Sequence, residues 1–144
     1  MDIKRLSAGD EALVAEAMEI FFPGEDEDKN IDSFLDNPQN YILVAYWHGT
    51  AVGLLLGYTL ERPETKRPML FLYEMEVLET QRRLGIGRAL VEAFKGIAKK
   101  LNASELFLMT NTSNVPAVRL YKSTGGIEDE DDSLMFVYQL NDEL

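Results

Sequence analysis

Three arginines and two glycines crowd the segment Gln81-Arg82-Arg83-Leu84-Gly85-Ile86-Gly87-Arg88. It follows a β-rich run over 70–78 and precedes a run with helical spacing over 88–101. A helix N-terminus offers unpaired backbone N–H groups and a partial positive charge. Gly85 and Gly87 carry no Cβ, so a ligand can lie against the backbone. Arg82, Arg83 and Arg88 add side-chain cations. The chemistry this pattern suits is binding of a pyrophosphate. A dinucleotide fingerprint would need a third glycine where Leu90 stands, and the Gly-Lys-Ser/Thr of a Walker loop is absent.

Two further groups could move protons. Tyr73-Glu74-Met75-Glu76-Val77 places two acids in the middle of an apolar strand. Strand alternation puts Glu74 and Glu76 on one face and Met75 on the other. Downstream runs Asn114-x-x-Ala117-x-x-Leu120-Tyr121-x-x-x-Gly125. Asn114 can cap a helix on which Ala117, Leu120 and Tyr121 share a face.

These groups need a frame, and the spacing predicts one. A short strand is expected over 2–6, and Ser7-Ala8-Gly9-Asp10 has capping-box spacing. The helix after it carries Leu13, Val14, Ala17, Met18 and Phe21 on one face and stops at Pro23-Gly24. A short helix over 30–35 ends at Asn37-Pro38. Strands over 41–46 and 52–60 read as a hairpin around Trp47-His48-Gly49-Thr50, with His48 a turn residue. Two prolines and several charges predict a loop over 61–68. A strand over 105–110 follows the glycine-led helix. Gly125-Gly126 ends the Asn114-capped helix, and a final strand is expected over 133–140. The order β-α-α-β-β-β-α-β-α-β makes one α/β domain with a mixed sheet over residues 1–144.

Composition narrows the function. The chain has 144 residues, enough for one domain with one substantial core. It has no cysteine, which rules out disulfides, cysteine-ligated zinc and a cysteine nucleophile. His48 is the only histidine, so neither a multi-histidine metal site nor a histidine triad is expected, and no metal is assigned. No apolar run is long enough to predict a membrane span, and no signal region follows the N-terminus. A cytoplasmic protein is expected. The formal net charge of −11 repels nucleic acid and attracts a polycation. Acids cluster at Glu25-Asp26-Glu27-Asp28, with Asp32 and Asp36 behind, and again over 128–132.

The Arg-x-x-Gly-x-Gly loop together with the Asn114–Gly125 pattern resembles the GNAT acetyltransferase superfamily. The likeness runs nearly the whole length of the chain. It implies a splayed sheet whose strands 70–78 and 105–110 part to admit the pantetheine arm of acetyl-CoA. It implies a cofactor site of Met75, Val77, Leu78, Arg82, Arg83, Leu84, Gly85, Ile86, Gly87, Arg88, Asn114, Ala117 and Tyr121. Tyr121 would protonate the departing thiolate, and an N–H near Val77 would hold the oxyanion. Gly126 departs from the family, which usually has an aromatic there, and is expected to affect packing more than chemistry.

Within the superfamily the stretches Tyr58-Thr59-Leu60-Glu61, Leu70-Phe71-Leu72-Tyr73-Glu74-Met75 and Pro116-Ala117-Val118-Arg119-Leu120-Tyr121 are similar to those of aminoglycoside 3-N-acetyltransferases. That likeness implies a cationic amine acceptor, met by Glu25, Asp26, Tyr73, Glu74 and Asn111, and a homodimer. An alkylamine has a pKa of about 10 and must be neutral to attack, so a base is useful. Glu74 is favoured for that role, with Glu76 and a water relay left open. Polyamines, peptide N-termini and lysine side chains are alternative acceptors. A CoA-binding module without turnover is a further alternative.

Overall fold

The structure is a computed structural model, and it describes residues 1–24, 29–129, 132 and 134–140. Its elements are β1 (Asp2–Arg5), α1 (Glu11–Phe21), α2 (Ile31–Asp36), β2 (Asn40–Trp47), β3 (Thr50–Arg62), β4 (Thr65–Val77), a 3-10 turn (Glu79–Gln81), α3 (Ile86–Lys100), β5 (Glu105–Phe107) and α4 (Val115–Ser123). The five strands lie in the order β1-β2-β3-β4-β5. Among the described residues only β4 and β5 run parallel.

Each sheet face carries its own core. On one face α3 buries Ile86, Leu90, Val91 and Phe94 against Leu43, Leu55, Leu70 and Leu72. Burying a side chain such as Phe94 stabilises by about 2–3 kcal/mol. On the other face α1 and α2 set Val14, Ala17 and Leu35 against Ile42, Val44 and Leu54. This is why the α3 sequence shows a single apolar stripe, whereas β2 is buried on both sides and reads as a continuous apolar run.

The expected loop over 61–68 is mostly strand. β3 runs to Arg62 and β4 begins at Thr65, with Arg62 paired to Thr65 across Pro63-Glu64. Arg62 donates to the Arg67 carbonyl and to Ser104, while Arg67 donates to the carbonyls of Asn102 and Ala103. Those bonds hold a charged hairpin that composition alone reads as loop.

The final strand expected over 133–140 does not form. Residues 134–140 are exposed and belong to no strand, and Ser133 lies outside the described residues. A strand exists only beside a partner, and this segment has none in its own sheet. β5 also stops at Phe107 rather than at 110.

Candidate functional site

The register of β4 decides where its acids point. Leu56 pairs with Glu74 and Gly57 with Leu72, so Tyr73 is an extra residue, a bulge. The bulge lets Leu72 and Met75 both pack toward α3. Glu74 and Glu76 pair with Leu56 and Leu54, which belong to the α1/α2 face. The two acids therefore share a face opposite Met75, as strand alternation predicts.

Sequence reasoning did not find the bulge or its result. Tyr73, 59% exposed, turns to meet Tyr58 at 5.9 Å and Phe71 at 5.8 Å between ring centroids. Tyr58 in turn meets Phe34 of α2, and Phe71 stacks on Phe107 of β5 at 4.8 Å. An aromatic row thus crosses from α2 to β5 beside Glu74. Burial, with added repulsion from Tyr73 and Glu74, pushes the Tyr58 phenol above its ordinary value. The clue available in the sequence was an aromatic on each of three strands and on α2, but only the register aligns them.

Beyond the bulge the sheet opens. β4 and β5 pair only from Met69 with Glu105 to Phe71 with Phe107, while β4 continues to Val77. The stretch of β4 from Leu72 onward therefore has no neighbour on its β5 side among the described residues. The Leu78 N–H donates to the Val52 carbonyl at 3.0 Å. Successive amides alternate between strand edges, so the Val77 N–H points to the open side. Leu78 contributes its side chain to the α3 core, and its amide is already engaged.

At the end of that opening α3 begins. Gly85 caps it in the left-handed region, at φ 82°, with open space where a Cβ would stand. Ala89 donates to the Gly85 carbonyl, so the amides of Ile86, Gly87 and Arg88 have no partner within the helix. No acidic side chain occupies the first turn. The Ile86 side chain is in the core, leaving only its amide to face a ligand. Arg82, Arg83 and Leu84 are exposed.

Two details revise the expected roles here. The space beside Gly87 is filled by this chain's own Leu120 and Met75, whose ends would lie 2.9 and 3.5 Å from an added Cβ. Gly87 therefore lets α4 and β4 close on the start of α3, while the space beside Gly85 stays open. Arg88 donates to Ser123 at 2.8 Å, tying α3 to α4 rather than standing free.

α4 carries the second expected motif. The Asn114 side chain accepts from the Ala117 N–H at 3.3 Å, the predicted cap. The Asn114 N–H donates to the carbonyl of Asn111, whose side chain is exposed. Ala117 is partly buried, and Leu120 and Tyr121 pack on the α3 core. Burial pushes the Tyr121 phenol above its ordinary value, so it stays protonated at neutral pH. Gly126 lies against the Tyr121 carbonyl: its N–H donates there at 2.8 Å, and a Cβ would stand 2.8 Å from the same oxygen. The aromatic that the family pattern favours there has no room.

Asp32 and Asp36 lie exposed on α2, on the Glu74 side of the sheet. Glu25 and Asp26, expected at the acceptor, lie outside the described residues, as do Glu27, Asp28, Glu130 and Asp131. Among the described residues no helix is long and apolar enough to cross a membrane. His48 occupies the β2–β3 turn at φ 50°, as a turn residue.

Residues 11–125 match the family model described as the acetyltransferase (GNAT) family. The chain belongs to that family, and its five-stranded mixed sheet with four helices is the GNAT fold. It is 36% identical over 92 residues to an N-alpha-acetyltransferase of Sulfurisphaera tokodaii, a match spanning 56% of this chain and 55% of that protein. It is 31% identical over 93 residues to N-acetyltransferase family 8 member 3 of Rattus norvegicus, spanning 65% and 41%. The chain thus spans about half the length of the curated relatives it matches.

Among solved structures it is similar to an aminoglycoside acetyltransferase from an uncultured soil metagenomic sample in complex with trehalose, at TM-score 0.85 and 24% identity, covering 97% of this chain and 96% of that one. A second soil metagenomic aminoglycoside acetyltransferase is 27% identical at TM-score 0.78, covering 97% and 98%. Aminoglycoside N-acetyltransferase AAC(6')-Iy in complex with CoA shares the fold at TM-score 0.78 and 18% identity, covering 96% and 93%.

Proposed function

We propose that this chain transfers the acetyl group of acetyl-CoA to an amine of a cationic small molecule, an aminoglycoside, at its 3-amino group. The observation that carries the reading is the parting of β4 and β5 after Phe71, with Glu74 on one face of β4, Tyr121 packed on the other, and the bare start of α3 at the end of the gap. The residues present fit the donor. The amides of Ile86, Gly87 and Arg88, with Arg82 and Arg83, suit the pyrophosphate. The open edge of β4 suits the amides of the pantetheine arm, as an added strand would.

Bound acetyl-CoA supplies an activated acyl group and a thiolate leaving group. The chain's residues then hold and move protons. Glu74, directly or through water, would take a proton from the acceptor's ammonium; the neutral amine would form the new C–N bond as the C–S bond breaks, and the second proton that leaves the nitrogen would pass to water, from which the Tyr121 phenol is restored. The Val77 N–H holds the carbonyl oxygen as its charge grows. Tyr121 donates to the sulfur as it leaves, and its raised pKa keeps the proton available throughout the neutral range. Glu76, on the same face as Glu74, is the second base candidate. Asp32, Asp36, Glu25 and Asp26 draw the polycation in, while Tyr73 and Asn111 border it. Acetylation replaces an ammonium by a neutral amide and so removes one positive charge from the drug, the change that would confer resistance in this reading.

The acceptor's ring position rests on the strand around Glu74, where the likeness is to 3-N enzymes. The fold neighbours include a 6'-type enzyme, so product mapping decides it. The relative named as an N-alpha-acetyltransferase favours a second reading, a peptide N-terminus. A panel of aminoglycosides, polyamines and short peptides, followed by release of free CoA, separates these. Transfer to a polyamine or peptide alone overturns the aminoglycoside reading. Binding of acetyl-CoA with no transfer to any amine overturns the enzyme. In the same assay Glu74→Gln and Tyr121→Phe are each expected to lower kcat by roughly 10²–10⁴-fold. Full turnover by both removes the role assignments.

A further inference from the structure

Successive side chains of a strand go to opposite faces. The bulge at Tyr73 breaks that rule at one point. Leu56 and Tyr58 of β3 lie on the α1/α2 face, since Leu56 joins that core and Tyr58 meets Phe34 of α2. Glu74 pairs with Leu56, and the Tyr73 ring meets Tyr58 and Phe71. Two consecutive residues, an aromatic and a carboxylate, therefore stand on one face. Their Cα atoms are about 3.8 Å apart. A regular strand could not set them side by side.

The corner holds a ring in place without burying it. Tyr73 meets Tyr58 and Phe71 at interplanar angles of 72° and 78°, edge against face. Phe71 is backed by Phe107, nearly parallel at 8°, and Tyr58 by Phe34 at 82°. Tyr73 is fixed from two sides and is still 59% exposed. An aromatic face carries negative charge density and attracts an ammonium within about 6 Å of its centroid. The carboxylate beside it attracts another. Burial, with repulsion from Tyr73 and Glu74, holds the Tyr58 phenol above its ordinary value, so this ring stays neutral while a cation binds. An apolar partner does not suit the corner, because covering the ring would also take the Glu74 carboxylate out of water. A partner with two positive charges suits both features at once, and the net charge of −11 favours it.

We propose that the corner of Tyr73, Tyr58 and Phe71 is a second cation subsite, which holds the non-reacting ammonium of a compact cyclic diamine while the reacting amine lies at Glu74. The placing of the reacting amine rests on the acetyl-transfer reading; the pairing of ring and carboxylate does not. A monoamine satisfies only one of the two features. A linear polyamine can satisfy both but must freeze the rotors between its nitrogens, whereas a ring holds them at a fixed short span. The subsite therefore selects a rigid diamine over the matching monoamine by roughly tenfold, the usual strength of one partly desolvated cation–π contact.

The test uses two probes: cis-diaminocyclohexane with its amines on alternate ring carbons, and the same ring with one amine replaced by hydroxyl. Each is titrated into the full chain with CoA present, where no transfer can occur, at salt high enough to screen bulk charge. Calorimetry is expected to show the diamine binding roughly tenfold more tightly. Tyr73→Leu, which leaves every charge in place, is expected to erase that difference, and Tyr73→Phe to keep it. In the wild-type chain, ligand protons beside one amine of the diamine should shift upfield in the ring current of Tyr73, a readout that needs no variant to fold. Equal affinities in the wild type overturn the subsite, as does a preference that survives Tyr73→Leu. Failure of both probes to bind overturns it too. The two readings fail separately. A Tyr73-dependent diamine preference with no transfer to any amine sinks the enzyme and keeps the subsite, whereas transfer without that preference sinks the subsite alone.

Discussion

The Gly126 N–H and the Tyr121 carbonyl meet at 2.8 Å, and the glycine's missing Cβ is what permits the approach. The Thr124 hydroxyl donates to the same carbonyl at 3.0 Å. The backbone of the proposed proton donor is thus held from two sides at the end of α4. A methyl at residue 126 would press on a backbone oxygen that cannot rotate away. Gly126→Ala is expected to destabilise the chain by about 1–3 kcal/mol, the usual range for overpacking. It should also lower kcat more than it changes donor KM. A thermal melt together with steady-state kinetics checks both, and an unchanged kcat would separate Tyr121 from the chemistry.

Alkaline pH should unfold the protein by a defined route. Burial raises the phenols of Tyr121, Tyr58 and Tyr46 above the ordinary value of about 10. The neutral form is favoured in the folded state, so this stability is fully present below about pH 10 and is lost as pH rises through the folded values. Urea midpoints should be level from pH 8 to 9 and fall above 10. Tyr121→Phe should make the fall shallower. A midpoint that drops equally in that variant would assign the effect to other groups.

The three arginines of the loop should separate by role. Arg82→Ala and Arg83→Ala each remove an exposed cation and are expected to raise donor KM roughly tenfold, the loss of one charge-assisted bond. Arg88→Ala also breaks the tie to Ser123 and should lower the melting temperature as well. Ser123→Ala should reproduce only the thermal effect. Equal behaviour of all three arginines in both assays would refute the distinction.

Salt should weaken acceptor capture. Asp32 and Asp36 lie exposed on α2, and exposed charges beyond a Debye length of about 10 Å at 0.1 M are screened. Raising salt from 20 to 300 mM should increase acceptor KM several-fold while leaving kcat in place. An acceptor KM indifferent to salt would argue against steering by Asp32, Asp36 and the run Glu25-Asp26-Glu27-Asp28.

The glycine-marked start of α3 was legible in the sequence because the left-handed turn into that helix is written as glycine. The shared face of Glu74 and Glu76 was legible from alternation alone. Tyr73 was not, since its place depends on where β3 slips against β4, between Leu56 and Gly57. The Pro63-Glu64 hairpin was hidden because two prolines and a run of charges look the same in a long loop and in a two-residue turn. The strand expected over 133–140 is absent among the described residues, because an apolar alternating stretch becomes a strand only where a neighbouring strand pairs with it. Gly87 was read only as bare backbone for a ligand, and the structure adds that its missing Cβ makes room for Leu120. Both demands leave the same letter.

The pairing of β4 with β5 ends at Phe71 and Phe107, whereas β4 runs on to Val77, toward the start of α3. Such a slot is shaped before anything enters it. If the acyl group of the proposed donor lies beside Met75, Leu120 and Tyr121, which all pack on the α3 core, a longer acyl chain could be admitted only by displacing packed side chains.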